Sequence, residues 1–456
     1  MNNPVSEYFR GVDSSVFELA ANMSKDAGYF RFGPDTICFG RSAAGHWTHR
    51  PDHKLYDTSN DIQRRGAKLE LPFNPAEIAD NLRNEKYAFQ SRQVNASNRS
   101  RLIQAVYYLF RPFFPLSFRR HLQKFHLRGW ENIPFPHWPV DRTVDVLMQK
   151  LLALTLSMQA GNKVPFIWFW PDGAQACSVM THDVEEESGR AFCSTLMTIN
   201  EQFGMPASFQ IVPEVRYEVS REYLAEIRNR GFEINVQDLT HDGRLFRNYK
   251  EFCARVEKIN QYGREYGAKG FRSAILYRNQ EWFHLLRFSY DLSVPNVAHL
   301  DPQRGGCCTV MPYFIGDMVE LPVTMTQDHT LFNVLNDYSL SLWEQQAKLV
   351  LEQNGLMGFI VHPDYIMTER PQTTYKRLLE FMVKLREEND VWIALPRDVD
   401  EWWRQRAQMN IVNRQGTLTV EGPGSERARI AYAVADGDRV VYELADKPVR
   451  VGVSGS

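Results

Sequence analysis

Between residues 176 and 406 the chain alternates short apolar runs with segments whose apolar residues recur at helical spacing. Continuous apolar runs suit strands buried on both faces, and strands alternating with helices are the rhythm of βα units around a parallel sheet or barrel. The pattern predicts strands over 177–181, 208–212, 233–236, 270–273, 291–294, 319–323, 357–361 and 391–395. Between them lie helices such as 375–388, where Leu378, Leu379, Met382 and Leu385 share one face and Lys376, Arg377, Lys384 and Arg386 are left for solvent. About seven such units predict an α/β fold, a distorted (β/α) barrel over 166–408.

The flanks read differently. Residues 1–165 predict a mostly helical accessory region, with a helix over 141–159 that Asp141 can cap and whose inner face carries Val144, Leu147, Met148, Leu151 and Leu152. A proline-broken aromatic loop over 130–139 precedes it. Residues 409–456 hold three alternating runs, 416–421, 427–435 and 439–444, separated by Gly422-Pro423-Gly424 and Asp436-Gly437, which predict a small antiparallel β meander. Two early runs, 29–32 and 36–39, flank Gly33-Pro34-Asp35. Isolated hairpins are only marginally stable, so 29–40 is a candidate to pair with that meander.

Charge narrows the function. Lys and Arg number 53 against 55 Asp and Glu, a formal net charge of −2, so no overall basic field attracts a phosphate backbone and nucleic-acid binding is disfavoured. The first residues lack the cationic start and apolar run of an export signal, which predicts a cytoplasmic protein. Segment 102–118 is strongly apolar and flanked by Arg99, Arg101, Arg119 and Arg120, but Arg111, Pro112 and Pro115 interrupt it. It cannot span a bilayer; a buried inter-domain helix and a peripheral membrane contact both stay open. The cysteines, Cys38, Cys177, Cys193, Cys253, Cys307 and Cys308, show no metal-ligand spacing and are expected as free thiols.

In an α/β barrel the functional side chains collect where strands end at the C-terminal face. The first strand ends in Thr181-His182-Asp183-Val184-Glu185 and the third in Gln237-Asp238-Leu239-Thr240-His241-Asp242-Gly243. The fourth ends in Phe271-Arg272-Ser273, and a late strand in His362-Pro363-Asp364, preceded by Thr326-Gln327-Asp328-His329. Carboxylates, histidines and an arginine at successive strand ends are the groups a hydrolytic site draws on for its base, its cation ligands and its acid. Asp183 and Glu185, two residues apart on an extended chain, face the same side. Weaker signals are His46, His49 and His53, which have ligand-like spacing in a polar loop, and the aromatics Trp168, Trp170, Tyr338, Trp343 and Tyr365, which read as core or rim residues or as sugar-stacking faces.

These ordered motifs resemble the polysaccharide deacetylases of the chitooligosaccharide and peptidoglycan deacetylase type, over about residues 176–406. The resemblance implies a distorted barrel, a divalent metal, zinc first with manganese or cobalt as alternatives, and hydrolysis of N-acetyl or related acyl groups on sugars. It implies Asp183 as general base, Glu185 as a metal ligand and His241 as a second ligand, with Gln237 standing where the family has another metal-binding histidine. It implies Arg272 as the residue that steers the base, although Ser273, Ala274 and Ile275 replace the proline and aromatic that usually follow, and His362 as the acid. His182, Asp242, Asp328 and His329 are candidates to complete or support the ligand set.

The implied role is glycan or exopolysaccharide biosynthesis, with a lipid-linked carbohydrate substrate if 102–118 touches a membrane. An amide oxygen is a poorer match for zinc than imidazole, so Gln237 keeps a second outcome open: a catalytically degenerate barrel that binds a glycan or a partner. A third, hydrolysis of a non-sugar amide on the same barrel, also stays open.

Overall fold

The strand Ala176–Val184 is buried along its whole length, and the barrel is built on it. The computed structural model describes residues 4–88 except 14, 44, 52 and 53, then 129–159, 163–436 and 439–445. One edge of Ala176–Val184 pairs in parallel with Leu356–Val361, from Leu356 beside Cys177 to Val361 beside His182. The other edge is shared: Val391–Ala394 takes its lower half, and Ala207–Ile211 takes its upper half, from Met180 beside Ala207 to Val184 beside Ile211. The parallel sheet continues through Glu233–Gln237, Gly270–Arg272, Tyr290–Asp291 and Met318–Glu320, and Tyr313–Ile315 runs antiparallel at its end. This is the distorted α/β barrel that the apolar runs predict.

The seam between Met318–Glu320 and Leu356–Val361 is closed by an irregular segment rather than a ladder. The Met325 amide donates to the Gly358 carbonyl at 3.2 Å, and the Gly358 amide donates to Thr324 Oγ1 at 2.9 Å. A Cβ on Gly358 would lie 2.5 Å from the Pro322 carbonyl oxygen, so only glycine lets the two segments approach this closely. Outside the sheet, Glu369–Asn389 buries Tyr375, Leu378, Leu379, Met382 and Leu385, the face its sequence predicts.

The flanks depart from expectation. The described part of 1–165 is mixed rather than mostly helical: Pro4–Tyr8, Pro75–Arg83 and Thr143–Ser157 are helices, but Phe17–Leu19, Lys68–Leu71 and Gln63–Arg65 form a three-stranded sheet. Short runs such as 68–71 are too brief for period alone to separate strand from helix, and pairing decides. The hairpin Gly28–Arg31 with Ile37–Gly40 stands as its own two-stranded sheet, so the proposed pairing of 29–40 with the C-terminal runs is not what forms.

Those runs make two hairpins instead of one meander. Asn410–Arg414 pairs with Thr417–Glu421, and Ile430–Asp436 pairs with both Arg439–Leu444 and Lys163–Ile167. The third strand thus comes from the residues just before the barrel. Segment 102–118 lies outside the described residues, and none of the described helices is long and apolar enough to cross a membrane.

Three buried polar contacts dock the N-terminal region on the barrel. The Arg278 guanidinium forms an ion pair with Glu85, both fully buried. The Tyr87 hydroxyl donates to the Gly306 carbonyl at 2.7 Å, and Asp145 accepts from Thr309 Oγ1 at 2.6 Å and from the Val310 amide at 2.9 Å. An uncompensated buried charge is costly, so these pairs tie the register of the two parts together.

At the opposite end of the barrel from the strand-end chemistry, the buried Glu233 accepts from the Tyr290 hydroxyl at 2.5 Å and from the Arg397 amide at 3.1 Å. Burial pushes its carboxyl up to about 7. Its folded pKa exceeds its unfolded one, so its contribution to stability is complete below about pH 4.5 and is lost as pH rises towards 7, by at most about 3 kcal/mol. Glu233→Gln is expected to flatten that part of the stability profile, measured by denaturant unfolding at about pH 5 and pH 8; an unchanged slope would show that Glu233 does not carry it.

Candidate active site

Four strand ends converge at the C-terminal mouth. Asp183 lies on the upper end of the first barrel strand, with Glu185 just beyond it; Gln237 ends the third strand, Arg272 the fourth, and His362 follows the seam strand Leu356–Val361. Asp183, Glu185 and His362 each offer one ligand atom, and these atoms lie within 4.8 Å of one another. His241 joins them from the loop after the third strand, with Nε2 2.8 Å from Glu185 Oε1. His362 Nε2 stands 3.4 Å from the same oxygen. Glu185 is therefore flanked by two imidazoles.

The loop that delivers His241 is strained and held. Asp238 and His241 both take left-handed backbone conformations, at φ 51° and 53°. Such positions persist only where the surroundings over-determine them. Here the Asp238 amide donates to the Arg272 carbonyl at 2.8 Å, and the Arg216 guanidinium donates to the carbonyls of Thr240 at 3.2 Å and His241 at 2.7 Å. Arg216 also pairs with Glu186 at 2.7 Å. The sequence reading missed Arg216; the signal available was its position just past the second strand end.

Burial and charge set the ionisation of the cluster. Burial raises the Asp183 carboxyl, and Arg272, whose Nη1 lies 3.4 Å from Asp183 Oδ2, works against that shift. Arg272 is itself positioned by a 3.0 Å hydrogen bond from Nη2 to Thr181 Oγ1. Burial disfavours the Glu185 anion, but His241 and His362 outweigh it and hold the carboxyl well below its ordinary range. For His241, burial works against the charged form and Glu185 more than offsets it. For His362, burial is likewise overcome, first by Asp328 and then by Glu185, and its pKa lies well above the ordinary value.

Asp328 is more than a neighbour in sequence. Its Oδ1 lies 2.6 Å from His362 Nδ1, and its Oδ2 accepts from the His362 amide at 2.8 Å. This fixes the ring and leaves Nε2 for the mouth. Tyr365 packs against the ring at 4.8 Å, and His329 packs on Tyr365 in turn, at 5.4 Å.

Two candidates fall outside the cluster. His182 points to the opposite face of its strand, as alternation requires. Its Nδ1 meets the Val361 carbonyl at 3.2 Å and its Nε2 meets the Asn200 side-chain nitrogen at 2.8 Å, and burial pulls its pKa down to about 3. It is a neutral core histidine. Asp242 is bound by Arg255 through both oxygens at 2.8 Å and accepts from the Arg244 amide, so it is spent on its own loop. Among the weaker signals, His46 stacks on Tyr56, His49 packs on Trp47 and His53 lies outside the described residues. Trp168, Trp170 and Trp343 are core residues.

Gln237 fills the remaining space. Its amide nitrogen donates to Asp183 Oδ2 at 3.2 Å and to Glu185 Oε1 at 3.4 Å, while its Oε1 is buried with no partner. Asp183 Oδ1 likewise has no hydrogen-bond partner, and the Nε2 of His241 is engaged only by Glu185 Oε1, at 2.8 Å. An unsatisfied carboxylate oxygen and an unsatisfied amide oxygen beside the converging Asp183, Glu185 and His362 are donors of the kind that fit a divalent cation. Turning the Gln237 amide over would aim its oxygen at the two carboxylates, an arrangement that a cation between them would stabilise.

Asp328 and then Glu185 favour the protonated form of His362, whose pKa lies well above its ordinary value. Asp328→Asn is expected to lower that pKa, read from the imidazole NMR titration; no change would mean that Glu185 supplies the field. A cation must displace protons from the imidazoles, so metal affinity is expected to rise with pH through neutrality, with proton release measured by calorimetry in buffers of different ionisation heat.

No protein-family model matches the chain, and no curated protein sequence matches it. Solved structures resemble it over about half its length. A protein described as a polysaccharide deacetylase from Mycobacterium smegmatis has 21% identity and a TM-score of 0.42, over 52% of this chain and 93% of its own. The PuuE allantoinase has 11% identity and a TM-score of 0.39, over 52% and 92%. The peptidoglycan deacetylase PdaC from Bacillus subtilis has 10% identity and a TM-score of 0.32, over 52% and 95%.

Proposed function

We propose that this chain is a metal-dependent hydrolase that removes an N-acetyl or related acyl group from a carbohydrate. The observation that carries the reading is a buried carboxylate, Asp183, held by Arg272 beside an ionised carboxylate, Glu185, set between two imidazoles. A divalent cation held by Glu185, His241 and the Gln237 amide oxygen would supply a Lewis acid for the scissile carbonyl. Zinc suits the imidazole and carboxylate ligands, and manganese or cobalt are alternatives that accept the amide oxygen.

The chain's own residues then divide the proton work. Asp183 takes the proton from the attacking water; burial raises its affinity for that proton, and the Arg272 guanidinium keeps it ionised beforehand. His362, fixed through Nδ1 by Asp328, presents Nε2 and gives its proton to the departing amine, which leaves poorly as an anion. The closer approach of His241 than of His362 to Glu185 Oε1, 2.8 Å against 3.4 Å, favours His241 as ligand and His362 as acid. The reading places the activity on a glycan under assembly.

The test is acetate release from N-acetylated saccharides by protein loaded with zinc, manganese or cobalt. Asp183→Asn is expected to cost about 10²–10⁴-fold in rate. Chelation is expected to abolish the activity and metal to restore it. No acetate from any saccharide under any metal, with Asp183→Asn indistinguishable from the parent, would sink the reading.

One observation favours a second reading, a binding protein on a degenerate barrel. The Gln237 amide nitrogen already supplies Asp183 and Glu185 with a polar partner where a cation would sit. In that case purified protein is expected to hold no metal, and Gln237→His to create metal binding; stoichiometric metal in the native chain, measured by elemental analysis, would remove this alternative.

A further inference from the structure

A second feature of the mouth lies outside the catalytic cluster. Beyond the fourth, fifth and sixth strand ends is a cavity of about 30 Å³, lined by Trp138, Leu276, Asp301, Val323, Gln327 and Gln346 among others. It has room for one or two water-sized groups. It adjoins the reaction centre through the chain itself. Gln327 precedes Asp328, the residue that grips His362, and Leu276 and Val323 pack on Ile360, which shares a strand face with His362 about 7 Å away.

The wall of this cavity comes from outside the barrel. Trp138 belongs to the aromatic loop of the N-terminal region. His299 stacks on its ring at 5.9 Å and 22°, and Trp130 meets it edge-on at 4.9 Å. The loop is pinned: the Pro139 carbonyl accepts from Gln346 Nε2 at 3.1 Å, and the Asp141 backbone exchanges two hydrogen bonds with the Asn296 side chain, at 2.8 and 2.7 Å. The indole is therefore pre-positioned and partly open.

Across from it, Asp301 is buried to 8% exposure. One carboxylate oxygen accepts from Gln327 Nε2 at 3.0 Å, and no other hydrogen-bond donor reaches the carboxylate among the described residues. The charge of Arg278 offsets part of the burial cost of this carboxylate, which lines the cavity and can accept from a ligand hydroxyl. A half-buried indole beside a carboxylate and an amide matches a pyranose ring, which offers a C–H face for stacking and hydroxyl groups for paired hydrogen bonds.

We propose that Trp138, Asp301 and Gln327 form a sugar subsite next to the reaction centre, so that the substrate is at least a disaccharide, whose neighbouring ring stacks on Trp138 and places one hydroxyl or hydroxymethyl group in the cavity. This rests on the carbohydrate reading above and goes beyond it by assigning a role to the N-terminal region.

The test is calorimetric binding of N-acetylglucosamine and of its β-1,4-linked disaccharide to the metal-loaded full chain. The disaccharide is expected to bind at least about tenfold more tightly. Trp138→Ala is expected to erase that advantage, Trp138→Phe to keep part of it, and Asp301→Asn to reduce it, with metal content and circular dichroism matching the parent in each variant. Equal affinity for the two sugars, or an advantage that survives Trp138→Ala, overturns the subsite and leaves the catalytic reading standing. Binding of neither sugar overturns both.

Discussion

The mouth of this barrel depends on neutralising one half-buried carboxylate. Glu185 is only 19% exposed, so an isolated anion there would be costly, and the two imidazoles that flank it hold it well below the usual carboxylate range. Each of those imidazoles needs its own support. His362 is fixed by Asp328, and His241 is delivered by a left-handed loop that Arg216 clamps by its carbonyls. Arg272 offsets part of the burial that raises the Asp183 carboxyl, and Gln237 donates to it. The cluster is one electrostatic unit: removing any member leaves another buried charge without its partner.

A unit of this kind needs a rigid frame, and the barrel supplies one unevenly. The first strand is hydrogen-bonded on both edges to three neighbours, so Asp183 stands on the stiffest part of the sheet. The seam one strand away is irregular and relies on Gly358 and on the Thr324 side chain. His362 and Asp328 sit at that seam, where the strand ladder gives way to side-chain contacts. The N-terminal region meets the barrel beside this seam through Trp138 and the buried Arg278–Glu85 pair. Catalysis and recognition thus draw on different parts of the chain.

The barrel was legible because period and run length report burial directly: continuous apolar strands require a sheet covered on both faces, and the helix over 369–389 wrote its inner face into the spacing of its leucines. The strand-end residues were legible for the same reason, since in such a barrel every strand ends at the same mouth. The flanks were not. Runs of three or four residues, such as 17–19 and 63–65, carry too little pattern to choose a partner, and the strand that completes the C-terminal sheet lies more than two hundred residues earlier in the chain.

Sequence by itself determined that Asp183, Glu185, Gln237, His241, Arg272 and His362 lie at strand ends, because alternation and strand order are local properties. Only the tertiary structure decided which of the nearby polar residues join them. His182 and Asp242 are one residue away from cluster members, yet His182 faces the core, because a single step along an extended strand reverses a side chain, and Asp242 is held to its own loop by Arg255. Asp328 is brought to His362 by closure of the seam, and Trp138 to the mouth by docking of a separate region. Those placements follow from how whole layers pack, which no local spacing encodes.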